Sequence, residues 1–194
     1  NKTREMRLSS PDSGARKLAL KPHQFREFNE CDNNTLIIPS TSSERREYIP
    51  MGFADTNTVI TNSNYSVSNA TLTLFGIVTS KMQMIWMKAI GGRLKSDYRY
   101  TSLVYNTFPF PEISEEKKKE IEEAAEEVLC VRAEHSEKTL AEMYDPDKMP
   151  ADLRAAHHTL DLIVESCYRK GAFTSDEERL EHLFKLYEKM TQKS

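Results

Sequence analysis

Phe108-Pro-Phe-Pro-Glu-Ile-Ser-Glu-Glu116 divides the 194-residue sequence into two parts of different composition. Its closely spaced prolines cannot lie inside a helix, and each favours extended backbone in the residue before it. The chain is rich in Ser, Thr and Asn before this stretch and rich in Glu, Lys and Ala after it. The sequence therefore predicts an α+β protein in which a mixed α/β domain, residues 1–110, is followed by a small C-terminal α-helical bundle, residues 111–194.

Helical start signals recur through the second part. Ser114, Thr139 and Ser175 each stand where a side-chain oxygen can cap a helix, and Pro150 is suited to a first helical turn. Apolar residues follow each signal at helical spacing. One such stripe, on the helix after Pro150, includes His157, which we expect to be a core residue rather than a metal ligand.

The first part mixes strand and helix patterns. Thr35-Leu-Ile-Ile-Pro39 predicts a buried strand, and Tyr48-Ile49 and Thr58–Thr61 predict shorter strands. Apolar residues at helical spacing predict one long helix from Ala70 to about Ile90, capped by Asn69 and ended by Gly91-Gly92.

The composition narrows the class of protein. Hydrophobic residues make up 38% and charged residues 29%, as in a globular chain, and no apolar run approaches the roughly 18 residues that span a bilayer. The sparse cysteines, three in all, fit neither a disulfide framework nor a metal site. We expect a cytoplasmic protein without a membrane partner and, because the sequence starts without Met, a fragment of a longer one.

Charge separates the two parts as well. Residues 1–110 carry 14 Lys and Arg against 9 Asp and Glu, whereas residues 111–194 carry 13 against 21. A basic part joined to an acidic part indicates different partners, and the basic part can face a polyanion.

Two segments of the basic part combine residues that suit nucleic acid. Ser40-Thr-Ser-Ser-Glu-Arg-Arg46 follows the predicted strand, and Ser42, Ser43, Arg45 and Arg46 could donate to phosphate oxygens. The alternative is a solvated loop in which Glu44 pairs with a neighbouring Arg.

The second segment is Gly91-Gly-Arg-Leu-Lys-Ser-Asp-Tyr-Arg-Tyr100. If it is extended, Arg93, Lys95, Asp97 and Arg99 share one face. A face that mixes donors with a carboxylate suits base edges better than phosphates. The alternative is an internal ion pair between Asp97 and a neighbouring cation.

Motifs for chemistry are absent from the sequence. It has no glycine-rich dinucleotide or phosphate-binding loop and no serine nucleophile elbow. We therefore expect no catalytic residue, no metal and no cofactor in this chain.

Several long motifs resemble the MmeI-like restriction–modification enzymes, whose methyltransferases modify adenine N6 in DNA. They occur in the family's order over nearly the whole chain, at residues 37–53, 69–80, 92–100, 104–111, 140–150 and 175–187. The resemblance implies a target-recognition domain followed by the family's C-terminal helical domain.

The resemblance also implies a function. The fragment would recognise a specific sequence in double-stranded DNA for an upstream methyltransferase domain of the same chain, and the parent protein would use S-adenosylmethionine. Lys95 and Asp97 would read bases, because related enzymes differ at these two positions while they keep the surrounding Arg-Leu and Tyr-Arg-Tyr residues as a frame. Arg93 and Arg99 would belong to that frame or hold phosphates. The alternative is a helical protein-interaction module without DNA specificity; steep salt dependence of duplex binding would distinguish the two.

Overall fold

The computed structural model describes residues 2–24, 29–31 and 34–192. It confirms an α+β fold with a C-terminal helical part. The helices are α1 (Lys2–Leu8), α2 (Ser13–Lys17), α3 (Leu72–Thr79), α4 (Lys81–Ile90), α5 (Ser102–Thr107), α6 (Glu115–Glu134), α7 (Leu140–Met143), α8 (Ala151–Tyr168) and α9 (Asp176–Thr191), with a 3₁₀ turn at Leu18–Leu20.

The strands are short and pair antiparallel. They are β1 (Asn29–Glu30), β2 (Thr35–Pro39), β3 (Thr41–Ser42), β4 (Gly52–Ala54), β5 (Val59–Ile60), β6 (Asn64–Val67), β7 (Arg93–Leu94) and β8 (Asp97–Arg99). In the described residues they form three small sheets of order β1-β5, β4-β2-β6 and β3-β8-β7. The strand predicted at Thr35–Pro39 is confirmed, and the one at Thr58–Thr61 is shortened to β5.

The strand predicted at Tyr48-Ile49 is wrong, because these residues lie in a loop without strand pairing. Both side chains are nevertheless buried, at 7% and 4% exposure. Their apolar character therefore reflects packing against the core rather than membership of a sheet.

The long helix predicted from Ala70 to Ile90 is interrupted at Ser80. That residue has φ −74° and ψ 164°, so α3 ends before it and α4 begins after it. The Thr79 hydroxyl donates to the Phe75 carbonyl and the Ser80 hydroxyl to the Ile77 carbonyl, both at 2.7 Å. Such bonds give helix carbonyls an alternative partner and weaken a helix. The cap of α3 is also Thr71, not Asn69.

The predicted helix starts in the second part are confirmed. The Ser114 hydroxyl accepts from the Lys117 amide at 3.2 Å, and Thr139 and Glu142 form a capping box. Ser175 caps α9 through the Glu178 amide. His157 lies in the core with 0% exposure, as expected.

One core joins the two parts of the chain. Gly76 of α3 lies so close to α6 that a Cβ atom there would approach the Ile121 Cγ2 atom to 2.6 Å. The Trp86 ring of α4 packs against Phe184 and Tyr187 of α9, with centroids 5.2 and 5.5 Å apart. The C-terminal helices therefore bury their apolar faces against the first part as well as against one another. Within the described ranges, no helix is long and apolar enough to cross a membrane.

Candidate nucleic-acid interface

Residues 93–99 form a hairpin, so the expectation of one extended segment is wrong. Leu94 pairs with Asp97 and Arg93 with Tyr98, which leaves Lys95 and Ser96 as a two-residue turn. Lys95 has φ +59° whereas Ser96 does not have a positive φ, the pattern of a type II′ turn. Lys95 therefore projects from the hairpin tip, and the four charged residues cannot line one face of a single strand.

The sheet β3-β8-β7 presents one face to solvent. Residues directly opposite each other in an antiparallel pair point to the same side. Thr41 pairs with Arg99 and Leu94 with Asp97, and these four side chains form the outer face. Arg99 and Leu94 are exposed, Leu94 to 53%. The outer face with Lys95 at its tip is called the recognition ribbon below.

The opposite face of this sheet meets the protein core. Ser42 pairs with Tyr98, and both are buried, at 3% and 8% exposure. At 3% exposure the Ser42 hydroxyl cannot donate directly to a phosphate, which is the role predicted for it from the sequence. The hydroxyl has no hydrogen-bond partner among the described residues.

Gly91 lets the hairpin start directly against the end of α4. A Cβ atom at this position would lie 2.5 Å from the Met87 carbonyl oxygen and 2.8 Å from that of Arg99. The Arg99 amide donates to the Gly92 carbonyl at 2.8 Å and continues the pairing of the hairpin. The absence of a side chain at Gly91 therefore lets β8 lie directly against the end of α4.

Arg93 belongs to the frame of the hairpin. One guanidinium nitrogen donates to the Glu44 carboxylate at 3.1 Å and to the Ser96 carbonyl at 2.9 Å. The other donates to the Tyr98 hydroxyl at 3.3 Å, and the guanidinium lies 4.4 Å from the centre of the Tyr98 ring. Arg93 therefore ties the turn to the neighbouring loop.

Some charged residues of the loop after β3 form ion pairs within the protein. The Ser43 hydroxyl accepts from the Arg45 amide at 3.4 Å, and the Ser43 carbonyl accepts from the Arg46 amide at 3.1 Å. The Arg45 guanidinium donates to the Asp147 carboxylate at 2.7 Å, and this partner raises the pKa of Arg45. The local pair considered for Glu44 is not made with Arg45 or Arg46, because Glu44 bonds to Arg93 instead.

Three cations of this region have no ion-pair partner within the described residues. They are Arg46, Lys95 and Arg99; Lys95 and Arg99 are exposed and Arg46 is half-buried. Asp97 likewise has no ion pair there, so the internal-pair alternative for the hairpin is not observed. The surface offers free donors beside one free carboxylate.

Sequence reasoning missed two members of the outer face. The sequence indicates Thr41 only as part of a hydroxyl-rich loop, and Leu94 only as a spacer between cations. The alternation along β8 places Asp97 with Arg99, but the partner strand depends on a turn at Lys95-Ser96 that lacks the usual glycine. No cluster of His, Cys, Asp or Glu that could hold a metal occurs in the part of the chain described.

Comparisons with known proteins agree along the whole chain. The family model described as the MmeI target recognition domain matches residues 1–112, and that of the MmeI C-terminal domain matches residues 113–193. A protein named DNA methyltransferase A from Bacillus subtilis (strain 168) is 52% identical over 188 residues, which is 96% of this chain and 21% of the relative.

A solved structure matches the fold closely. It is described as the Type IIL restriction–modification enzyme MmeI in complex with DNA, and it is 42% identical with a TM-score of 0.90. The match covers 97% of this chain and 25% of that one. The chain thus spans between a fifth and a quarter of the length of the proteins it matches.

Proposed function

Since the chain belongs to the MmeI family, whose target recognition and C-terminal domains it matches in order, we propose that it reads a specific sequence in double-stranded DNA. The reading would serve an adenine-N6 methyltransferase domain upstream in the same polypeptide, acting in the cytoplasm. Residues 1–110 would contact DNA, and residues 111–194 would support them.

The observation that carries this proposal is the recognition ribbon. A two-stranded β-ribbon fits the major groove of B-form DNA, where each base pair shows a distinct set of donors and acceptors. Lys95 at the tip can donate to guanine O6 and N7, and Asp97 can accept from cytosine N4. Leu94 offers an apolar contact of the kind that suits a thymine methyl group.

The backbone at Lys95 supports a role for its side chain. A positive φ costs a residue with a Cβ atom about 1 kcal/mol or more, and glycine avoids that cost. The turn carries a long cation at this position, exposed and without an ion pair in the described residues. Strained positions of this type cluster at functional sites.

Phosphate contacts would come from the other free cations. Arg99 belongs to the recognition ribbon and Arg46 to the loop after β3, and neither has an ion pair among the residues described. Arg45, by contrast, pairs with Asp147, and Arg93 pairs with Glu44. Arg46 and Arg99 would position the duplex, and Lys95 with Asp97 would specify its sequence.

The chain's own residues would perform no methyl transfer. The parent's methyltransferase part would bind S-adenosylmethionine and carry out the chemistry, while this part holds the duplex in register. That division is supported by the relatives, which are four to five times as long as the matched segment and one of which is named a DNA methyltransferase.

Salt-dependent binding to duplex DNA tests the proposal. Removing a side chain that contacts a phosphate should reduce the slope of log affinity against log salt by about 1, so Arg46→Ala and Arg99→Ala should each lower it. Lys185→Ala is the matched control, because Lys185 is an exposed cation on α9 that pairs with Glu181. Absence of duplex binding, or equal slopes in the wild type and all three variants, would favour the protein-interaction alternative.

A further inference from the structure

We propose that the C-terminal helices position the recognition ribbon through the loop of residues 43–51, called the strut below. This inference rests on the proposed function and assigns a role to the acidic helical part within it. Glu44, near the start of the strut, and Tyr48, in its C-terminal half, would be positioning residues for sequence readout.

One end of the strut holds the hairpin. The Glu44 carboxylate accepts from Arg93, whose same nitrogen donates to the Ser96 carbonyl in the turn. A displacement of Glu44 would therefore be passed through one guanidinium group to the turn that carries Lys95. The hairpin depends on this brace because β7 has only two residues and forms the edge of its sheet.

Surface ion pairs fasten the strut to the helical part. Arg45 bonds to Asp147 at 2.7 Å, and Glu47 accepts from Arg154 of α8 at 3.1 Å. Their side chains are 41% to 66% exposed. Exposed pairs of this kind stabilise weakly, so they guide the strut without fixing it.

Buried hydrogen bonds fix the other end. The Tyr48 hydroxyl donates to the Asp161 carboxylate of α8 at 2.6 Å, and the Tyr48 ring stacks on His157 with centroids 4.2 Å apart. The Met51 carbonyl accepts from Arg132 of α6 at 2.7 Å. Hydrogen bonds to charged groups in a buried site are stronger than exposed ones. The strut is thus anchored at both of these helices.

The buried anchors make further hydrogen bonds to one another and to α4. Arg132 also donates to the Tyr144 hydroxyl, which lies 2.6 Å from the His157 Nε2 atom. The second Asp161 oxygen accepts from the Lys81 amide at the start of α4, at 2.7 Å. Asp161 therefore joins the strut to α4, the helix that leads into the hairpin. In this way α8 contacts both the loop that follows β3 and the helix that precedes β7.

Such an arrangement serves readout more than folding. Readout needs side chains held to within about 0.5 Å, and the strut lies between the buried hydrogen bonds of α6 and α8 and the short sheet that carries the hairpin. If it positions the ribbon, weakening it should cost discrimination between sequences before it costs affinity for DNA in general.

The test compares Glu44→Gln and Tyr48→Phe with the wild type. The preferred site is first selected from random duplexes by the wild-type chain, and affinities are then measured for that site, for a single-pair mismatch and for unrelated DNA. Each variant should lower the ratio of matched to mismatched affinity by about threefold or more, the range of one weak to moderate hydrogen bond, and leave affinity for unrelated DNA within about twofold.

Two controls separate positioning from general damage. Glu181→Gln removes an exposed α9 pair far from the strut in sequence and should leave the ratio unchanged. Because Glu44 and Tyr48 act through one element, the effect of the double variant should be smaller than the product of the two single effects. Glu44 is exposed, so Glu44→Gln should keep the wild-type melting temperature and remains a valid probe if Tyr48→Phe folds poorly.

Amide hydrogen exchange tests the brace without DNA. The Arg99 amide, which bonds to Gly92, should exchange at least threefold faster in Glu44→Gln. A wild-type chain that binds duplexes without sequence preference would overturn the proposed function, and an unchanged Arg99 exchange rate would separately overturn the brace. If the wild type discriminates and both variants keep its ratio, the positioning role is wrong while the proposed function stands.

Discussion

Acidification should affect stability in opposite directions through two buried groups, His157 and Asp161. Burial, together with the nearby Arg132 charge, lowers the pKa of His157 to about 3. Burial raises the pKa of Asp161 to about 6, against hydrogen bonds from Tyr48 and the Lys81 amide that favour its charged form. Substituting one of the two residues should reveal how protonation of the other changes the free energy of unfolding.

The expected slopes follow from proton binding. The unfolded chain protonates His157 near pH 6.5 and the folded chain only near pH 3, so the folded state loses stability as the pH falls through that window. Asp161 behaves oppositely, because the folded chain takes up a proton near pH 6 and the unfolded chain only near 3.8. Each unit of pH within a window is worth about 1.4 kcal/mol.

The assay is urea unfolding at pH 7 and pH 5. Asp161→Asn leaves the histidine response, a loss of about 2 kcal/mol over this interval, and His157→Gln leaves the carboxyl response, a gain of about 1.4 kcal/mol. Gln at 157 retains an acceptor for the Tyr144 hydroxyl. The wild type should change by less than about 1 kcal/mol from these two groups.

The result is the difference between the wild type and each variant in how the free energy of unfolding changes with pH, because the other carboxylates respond alike in all three proteins. Parallel changes in the wild type and both variants would refute the reasoning, since neither buried group would then hold its shifted protonation state. The same outcome would mean that burial does not shift the pKa values of His157 and Asp161, the two residues that contact Tyr48 of the strut.

Three other substitutions test separate features of the fold. Gly76→Ala should lower the free energy of unfolding by about 1–3 kcal/mol, because its Cβ atom would meet Ile121; urea unfolding measures this, and no change would contradict the close approach. Ser114→Ala should cost about 1 kcal/mol because it removes the α6 cap, a penalty that Ser114→Asp should largely avoid. Lys95→Gly should raise the melting temperature slightly by relieving the positive φ while removing the preference for G·C at the one position that Lys95 reads; a lower melting temperature would contradict the turn geometry.

Local signals predicted the helical part of the fold well. Ser114, Thr139 and Ser175 act through the residues that follow them directly, so their caps can be read without tertiary information. The break at Ser80 could not be read in this way. Besides the local Thr79 and Ser80 hydroxyl bonds, it involves the Asp161 carboxylate, which lies eighty residues further along the chain and accepts a hydrogen bond from the Lys81 amide.

The candidate site was predictable by composition and only partly by geometry. The sequence indicates the cations and the carboxylate of residues 93–99. Their division between two faces follows from the turn at Lys95-Ser96, which the sequence does not predict because Lys95 stands where such turns usually have glycine. The engagement of Arg45 by Asp147 and of Arg93 by Glu44 depends on long-range contacts. Charge runs in a sequence do not show which members are already neutralised in the fold.

Selection of bound duplexes from a random pool, with and without Lys95→Glu combined with Asp97→Arg, tests the central claim most directly. The wild type should prefer G·C at one position, and the double variant should prefer C·G there while the other positions stay the same, with each mismatch costing about 1–3 kcal/mol. If the selected sequence is identical for both proteins at every position, Lys95 and Asp97 do not read bases and the account of the recognition ribbon is wrong.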